Sequence, residues 1–469
     1  MPGVSIMLAL GAGLVLRLTM LKQFFDIHGD PLIYGGLAKN LLLHGSYALT
    51  GGGGELCPTL IRLPGYPLFL ALCFRFFGME NYVSAAWVQI ALELAGCLLL
   101  ADFAGRIARR SGTGFSRGAA HATLWLAALC PFTAVYAAEP LAESLTLFVM
   151  ALALWSAARF RDRPGWGPAL WFTFAVSYAA LLRPDGALVG VALAPALLIG
   201  LKRGDGAGAI STRKLARMAV VCLLLALTPF AVWTWRNERV FHVFEPLAPR
   251  LANDPGENSH PGWERWMKSW CLDFVSTYEI YWNVPGDTLE ITQLPARAFD
   301  SPAQYAETAE LASDYNLSLD LTPEIDARFG KLADERIAAH PLRSYLWLPL
   351  GRVADMWLRP RVENLPIDLD WWVYAHHNDE TRFSWAYAGL NAVYLLLGFA
   401  GLCLRPRFWG PMLAYFVLRS AMLMTVEAPE ARYTLECFPM LFALGGVAAW
   451  WVFQRITGLS LRSPEDKKL

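Results

Sequence analysis

Asp26, His28 and Asp30 crowd together immediately after the apolar stretch 4–21, and Tyr34, Arg62 and Tyr66 follow before residue 67. A chain leaving a membrane must hydrate or pair every polar group at that boundary, which puts Asp30 and Tyr34 at the water interface. If Pro31 opens a helix, Asp30 stands at its N-cap and Tyr34 lies one turn in on the same side. An N-cap alone explains an isolated Asp-Pro pair, but three ionisable residues in five positions are more than a cap requires. Arg62 precedes Pro64-Gly65-Tyr66-Pro67, a turn that fixes where the arginine points, and it reads either as an interface anchor or as a ligand contact.

Further along, Glu139 and Glu143 are spaced by one helical turn at the mouth of an apolar stretch. They read as caps of a helix start or as two carboxylates on one face, able to hold sugar hydroxyls or an amine. Arg183-Pro184-Asp185 occupies a very short turn, Arg236-Asn237 ends another apolar stretch, and Arg432-Tyr433 follows a late one. Each arginine alone could be an anchor. Several at one bilayer surface are what a diphosphate or lipid phosphate needs, because guanidinium binds phosphate bidentately.

The elements that must position these groups are membrane helices. Hydrophobic residues make up 55% of the chain and charged ones 17%, and nineteen tryptophans exceed what a soluble core of this size needs. The net charge of zero points to no nucleic-acid partner. The N-terminal apolar stretch runs into Arg17 and Lys22 without a small-residue cleavage site, so it is expected to remain as a first span. Six of the eight cysteines lie in apolar runs, while Cys57 and Cys271 fall in loops where a disulfide is possible, and no spacing resembles a zinc site.

Spans of about 20 apolar residues are expected at 4–21, 82–105, 119–138, 141–158, 169–182, 187–201, 218–235, 385–404, 408–426 and 435–453, about ten in all. The Arg/Lys clusters at 106–117, 159–163, 202–217, 405–407 and 455–468 fall on one side only if the apolar pieces 66–78 and 345–358 lie in the outer interface without crossing. Both termini are then cytoplasmic, and nearly every unusual polar residue is outside. Three regions result: a membrane module 1–235 that includes an outer loop 22–81, an outer region 236–383, and C-terminal helices with a cytoplasmic tail, 384–469. Within the outer region, 301–340 has helical spacing interrupted at Thr322-Pro323, and 246–261 is rich in turns.

Five stretches carry a resemblance in one order along the chain: G-D-x-x-x-Y with L-A-x-N-L-L-x-H-G and R-L-P-G-Y-P, then Y-A-A-E-P-L-A-E-S-L, L-L-R-P-D-G, P-F-A-V-W-T-W-R-N and A-R-Y-T-L-E-C-F-P. They resemble the landmarks of bacterial GT-C glycosyltransferases, the superfamily that holds protein O-mannosyltransferases and the lipid A aminoarabinose transferase. The likeness covers most of the membrane region and is weak over 253–378.

The resemblance implies an all-α polytopic membrane fold and an inverting glycosyltransferase. In that family a polyprenyl-phosphate sugar presented from the bilayer is the donor, and a first-loop carboxylate acts on the acceptor, whether glycan, lipid or protein. The family aspartate falls on Asp30, with Tyr34 in the following helix. Asp30-Pro31 departs from the mannosyltransferases' Asp-Glu pair, which weighs against a mannosyl-to-protein reading and leaves Asp26 as a second candidate. Asp30 would deprotonate or orient the acceptor, and Arg62 with one or more of Arg183, Arg236 and Arg432 would hold the departing phosphate. Tyr66, Glu139, Glu143 and Tyr433 complete the expected substrate contacts. No cofactor or metal is expected if arginines do this work, and the active site is expected to face the periplasm from the inner membrane. The alternatives are a transporter of lipid-linked sugars, for which Glu93 is the main mid-span ionisable group and for which the expected internal repeat is not seen, or an envelope scaffold.

Overall fold

The computed structural model of the chain describes residues 3–108, 112–202, 211–249, 252–368 and 378–458. Arg109, Arg110, Arg203, Arg462, Lys467 and Lys468, which belong to the expected basic clusters, lie outside the described residues. The chain divides into two compact units, one of Met1–Gly256, Val393–Phe416 and Leu435–Leu469, the other of Glu257–Ala392 and Val417–Thr434.

The first unit begins with α1 (Gly3–Phe24), α2 (Asp30–His44), α3 (Gly65–Phe77), α4 (Tyr82–Ile107), α5 (Thr113–Ala128), α6 (Pro131–Ala138), α7 (Ala142–Asp162), α8 (Trp166–Leu182), α9 (Leu188–Lys202) and α10 (Thr212–Phe241). Between α2 and α3 a short antiparallel hairpin, β1 (Ala48–Thr50) and β2 (Leu56–Pro58), pairs Ala48 with Pro58 and Thr50 with Leu56. Capping follows the local sequence. Asn81 and Ser211 accept from the amides of Ser84 and Lys214 at the starts of α4 and α10, and Gly45 ends α2 in the left-handed region at φ +64°.

Six helices among the described residues are long and apolar enough to cross a membrane: Gly3–Phe24, Tyr82–Ile107, Ala142–Asp162, Thr212–Phe241, Asn378–Cys403 and Ala431–Thr457. The expected span 119–138 is broken into α5 and α6, bent by 50°, and makes a seventh if the pair is one crossing. Pro131 causes the break, since it offers no N–H to the preceding turn. The remaining expected spans coincide with helices of 17, 15 and 15 residues, Trp166–Leu182, Leu188–Lys202 and Trp409–Leu423, which are short for a crossing. On α10 only 11% of the apolar window is buried, and Leu223, Leu224, Leu227 and Val232 are exposed together. A continuous apolar face of that kind is a lipid-facing surface, and the protein is a multi-pass membrane protein, mostly helical with a single short hairpin among the described residues.

Helices approach closely where small residues allow it. A Cβ on Gly65 would lie 2.5 Å from the Leu181 carbonyl oxygen, and one on Gly446 2.0 Å from Thr123 Oγ1, so neither position tolerates a side chain without movement.

The second unit is built on the helices Pro261–Lys268, Pro302–Asn316, Pro323–Ala339 and Leu348–Leu358. The expected interruption of 301–340 is present, with Ser301 and Thr322 capping the two helices on either side of it. Trp263, Trp266, Trp270, Tyr315 and Phe329 form its core. Cys271 is buried there, its thiol pushed up to about 12 by desolvation, while Cys57 is exposed. All eight cysteines are free, so the possible Cys57–Cys271 disulfide is not formed.

Candidate active site

Asp30 is a helix residue whose side chain does not cap. Helix α2 begins one residue earlier than the Asp-Pro spacing suggested, with Gly29 at the N-cap in a positive-φ conformation (φ 64°) and no side-chain cap. Gly29 can adopt that backbone without strain, which releases the Asp30 carboxylate to accept from Arg62 Nη2 at 2.8 Å. Both side chains are one-quarter exposed, so the pair sits at an accessible rim.

Arg62 is held from behind. Tyr47 donates its hydroxyl to the Arg62 carbonyl at 3.0 Å, and Leu60 and Leu63 on either side are buried against Trp233. The Leu60 amide donates to Asp254 Oδ1 at 2.8 Å. Two residues past Leu63, the Gly65 carbonyl accepts from the Tyr178 hydroxyl at 3.0 Å, tying the turn to α8.

Arg236 contributes to the same arrangement through contacts with the protein itself. Helix α10 continues through it to Phe241. Its guanidinium donates to the carbonyls of Tyr47 at 2.7 Å and Thr59 at 2.8 Å, and to Asn237 Oδ1 at 3.0 Å. Its guanidinium carbon lies over three rings, at 5.5 Å from Tyr47, 5.2 Å from Trp233 and 5.2 Å from Phe241. It clasps the segment between α2 and α3 to α10.

Tyr34 is the centre of the cluster. Burial raises its phenol to about 12, and Asp30 and Glu143 push the same way while Arg62 and Arg183 oppose them, so all four charges bear on one hydroxyl. Its ring meets Tyr66 edge-on at 5.0 Å. The Tyr66 hydroxyl donates to Gln89 Oε1 at 2.5 Å, and Gln89 Nε2 donates to the Glu139 carbonyl at 2.7 Å.

Glu139 and Glu143 do not share a helix. Glu139 closes α6 in an extended conformation, and α7 starts at Ala142, so the turn expected between them is replaced by a corner. The corner is closed by Ser144 Oγ donating to the Tyr136 carbonyl at 3.0 Å. Glu143 projects from the first turn of α7 to Arg183 Nη1 at 3.2 Å.

Arg183 gathers two further carboxylates, Glu436 at 3.2 Å and Asp185 at 3.7 Å from its Nε. Glu436 in turn accepts from the buried Tyr415 hydroxyl at 3.2 Å. Gln89, Tyr47, Tyr415 and Glu436 were not singled out in the sequence. Gln89 and Glu93, polar and four apart within an apolar span, were the available signal for the first; Glu436 lay inside a quoted landmark without a partner to mark it.

The remaining expected residues lie elsewhere. Asp26 is exposed and pairs with His28. Arg432 and Tyr433 belong to the second unit, where both engage the Glu430 carboxylate. The first unit thus brings together Asp30, Tyr34, Arg62, Tyr66, Glu143 and Arg183, with carboxylates and guanidiniums alternating. Such a cluster can take a proton from an incoming hydroxyl or amine and offer positive charge to a departing anion.

No family model and no curated protein matches the sequence. Among solved structures the chain is similar to the oligosaccharyltransferase AglB from Archaeoglobus fulgidus, in complex with an inhibitory peptide and a dolichol-phosphate, with a TM-score of 0.51 and 12% identity. The likeness covers 98% of this chain and 52% of AglB, so the chain spans about half of AglB's length. ArnT from Cupriavidus metallidurans bound to undecaprenyl phosphate aligns over 98% of this chain and 79% of its own, at 14% identity and a TM-score of 0.38. Its apo state aligns over 95% and 76%, at 16% identity and the same score of 0.38. The likeness to AglB shows the GT-C membrane fold expected from the landmarks, and it speaks to the fold alone.

Proposed function

We propose, for a chain that carries the GT-C fold, that it is an inverting glycosyltransferase moving a sugar from a polyprenyl-phosphate donor to an acceptor at the outer face of the cytoplasmic membrane. The observation that carries this reading is the Asp30–Arg62 pair at 2.8 Å, set beside Tyr34 and the Glu143–Arg183 pair.

The pairing has a mechanistic use. A donor phosphate competes with Asp30 for the Arg62 fork, because guanidinium binds phosphate as readily as carboxylate. Its arrival frees the Asp30 carboxylate to accept the proton of the acceptor hydroxyl or amine. The acceptor atom then bonds to the anomeric carbon as the carbon–phosphate-oxygen bond breaks, and polyprenyl phosphate leaves with the electron pair. Arg62 stabilises that anion, with Arg183 in support. Glu143, Asp185 and Glu436 supply acceptors for sugar hydroxyls or an amine, and Glu139 borders them. Asp26, exposed on His28, is a reserve carboxylate. Arg432 and Tyr433 stay within the second unit, where both are held on the Glu430 carboxylate.

Transport of lipid-linked sugars, the rival reading, leaned on Glu93. That side chain is ion-paired with Arg17 at 2.7 Å, and both are buried, which suits a fixed element better than a moving ion site. The test is mass spectrometry of envelope lipids and glycans from cells with the wild-type protein, with Asp30→Asn, and without the protein. A glycosylated species present only with wild type supports the reading. Identical profiles in all three, with the protein expressed, would remove it.

A further inference from the structure

Arg17 and Glu93 are both buried in the first unit, 0% and 5% exposed, and the mechanism above uses neither. Arg17 Nη2 donates to Glu93 Oε1 at 2.7 Å. Its Nη1 donates to its own helix at Gly13 O, 3.0 Å, and across to Ala128 O at 2.7 Å. Ala128 is the last residue of α5 before the 50° break at Pro131. In the hydrocarbon region a carbonyl released by a break must find a donor inside the protein. Arg17 supplies one for Ala128, and the Tyr394 hydroxyl supplies another for Leu126 at 3.0 Å. Gly13 lets α1 come this close, since a Cβ there would stand 2.9 Å from the Ala128 oxygen.

The other end of this connection is α4. Glu93 and Gln89 are four residues apart and share one face of it. Glu93 holds the arginine that clamps the start of the bend; Gln89 donates to the Glu139 carbonyl at the end of the bent segment and receives the Tyr66 hydroxyl. The short helix α6 is therefore gripped at both ends from one helix face. Its exit corner delivers Glu143 to Arg183.

We propose that the buried Arg17–Glu93 pair is a positioning device for the transfer site, setting the α5–α6 bend so that the Glu139–Glu143 corner meets Tyr66 and Arg183. The inference rests on the reading of that corner as part of a glycosyl-transfer site. Glu93 Oε2 has no partner among the described residues and faces a cavity of about 20 Å³ lined also by Ala127 and Thr133, at the bend itself. The pair is thus built into the bend and not merely adjacent to it.

The experiment compares wild type, Glu93→Gln and the double variant Arg17→Met/Glu93→Leu, purified in lipid nanodiscs. Glu93→Gln leaves an uncompensated buried charge and should lower both melting temperature and kcat. The double variant removes both charges with apolar groups of similar size, a change that often restores stability, yet it cannot clamp Ala128. Its melting temperature should return to within a few degrees of wild type while kcat stays down about tenfold or more, with KM for the lipid-phosphate donor changed less than about threefold. A double variant with wild-type kcat would make the pair purely structural and overturn the proposal.

Hydrogen exchange of the same samples decides the matter independently of any activity. Faster exchange at the Leu141 and Ser144 amides in the double variant, with the rest of α7 unchanged, supports positioning. Exchange at the corner equal to wild type, or raised uniformly through the bundle, overturns it. If wild-type protein transfers no sugar, the functional reading fails, and the exchange arm still tests the mechanical link.

Discussion

Arg62 Nη2 lies 2.8 Å from Asp30 Oδ1 across thirty-two positions of sequence, and the contact forms because Gly29, not Asp30, takes the N-cap of α2. A cap would have turned the carboxylate back onto the helix amides. Freed from that duty, it faces the arginine that the Pro64-Gly65 turn and Tyr47 hold in place.

Asp30→Asn should abolish transfer while leaving expression and melting temperature close to wild type and polyprenyl phosphate bound at least as tightly, since the amide competes less for Arg62. The amide keeps the shape and can still meet Arg62, but it cannot take a proton. Asp26→Asn should cost less, since Asp26 is exposed and paired with His28. Full turnover by purified Asp30→Asn with a competent donor would exclude Asp30 as the base.

Arg62 and Arg236 should part company when each is replaced by Gln. Losing the charge-assisted contact at Arg62 is worth roughly 1.5–3 kcal/mol, or about ten- to a hundredfold in donor affinity or turnover, and Lys should rescue only in part because it lacks the fork. Arg236→Gln should instead lower thermal stability with donor constants unchanged, since its donors are spent on the Tyr47 and Thr59 carbonyls. Donor titrations and melting curves on both variants make the comparison. Normal kinetics in Arg62→Gln would move the phosphate to Arg183.

Asp355, on the helix Leu348–Leu358, gives a pH signature. Burial raises its carboxyl from 3.8 to about 6, against the pull of Arg359 at 3.6 Å. With the folded value above the unfolded one, the native state binds the proton more tightly. Its contribution to stability is full below about pH 3.8 and is lost as pH rises through about 6. The side chain is one-fifth exposed, so the effect should be well below the ceiling of about 3 kcal/mol that the shift implies. Denaturation between pH 4 and 7 should show this slope in wild type and lose it in Asp355→Asn; equal slopes would assign it to other groups.

Topology can be read with cysteine reagents in a background lacking the exposed Cys57 and Cys403. A cysteine at Ser313 should react from outside, and one at Ser211 only from the cytoplasm. The opposite pattern at either site would overturn the orientation drawn from the basic clusters.

Much of this was legible in the chain. Apolar runs of membrane length dictated helices, because backbone in hydrocarbon must bond to itself, and the interruption of 301–340 at Thr322-Pro323 stands where one helix gives way to the next. Residues 26–67 stood out as a site because so many ionisable groups at a membrane exit need a reason. What each group does was not legible, because a side chain's role depends on partners far away in sequence. Nothing local separated Arg62, facing Asp30, from Arg236, folded onto two carbonyls of the loop. One-turn spacing joined Glu139 to Glu143 only until the chain left the helix between them. Arg17 looked like the end of a first span, yet packing of α1, α4 and α5 buries it on Glu93 and Ala128, seventy-six and one hundred and eleven positions away. Helix formation is local and short-ranged, so sequence alone determined it. Pairing of charges inside a bundle depends on which helix faces meet, and only the tertiary structure decided that.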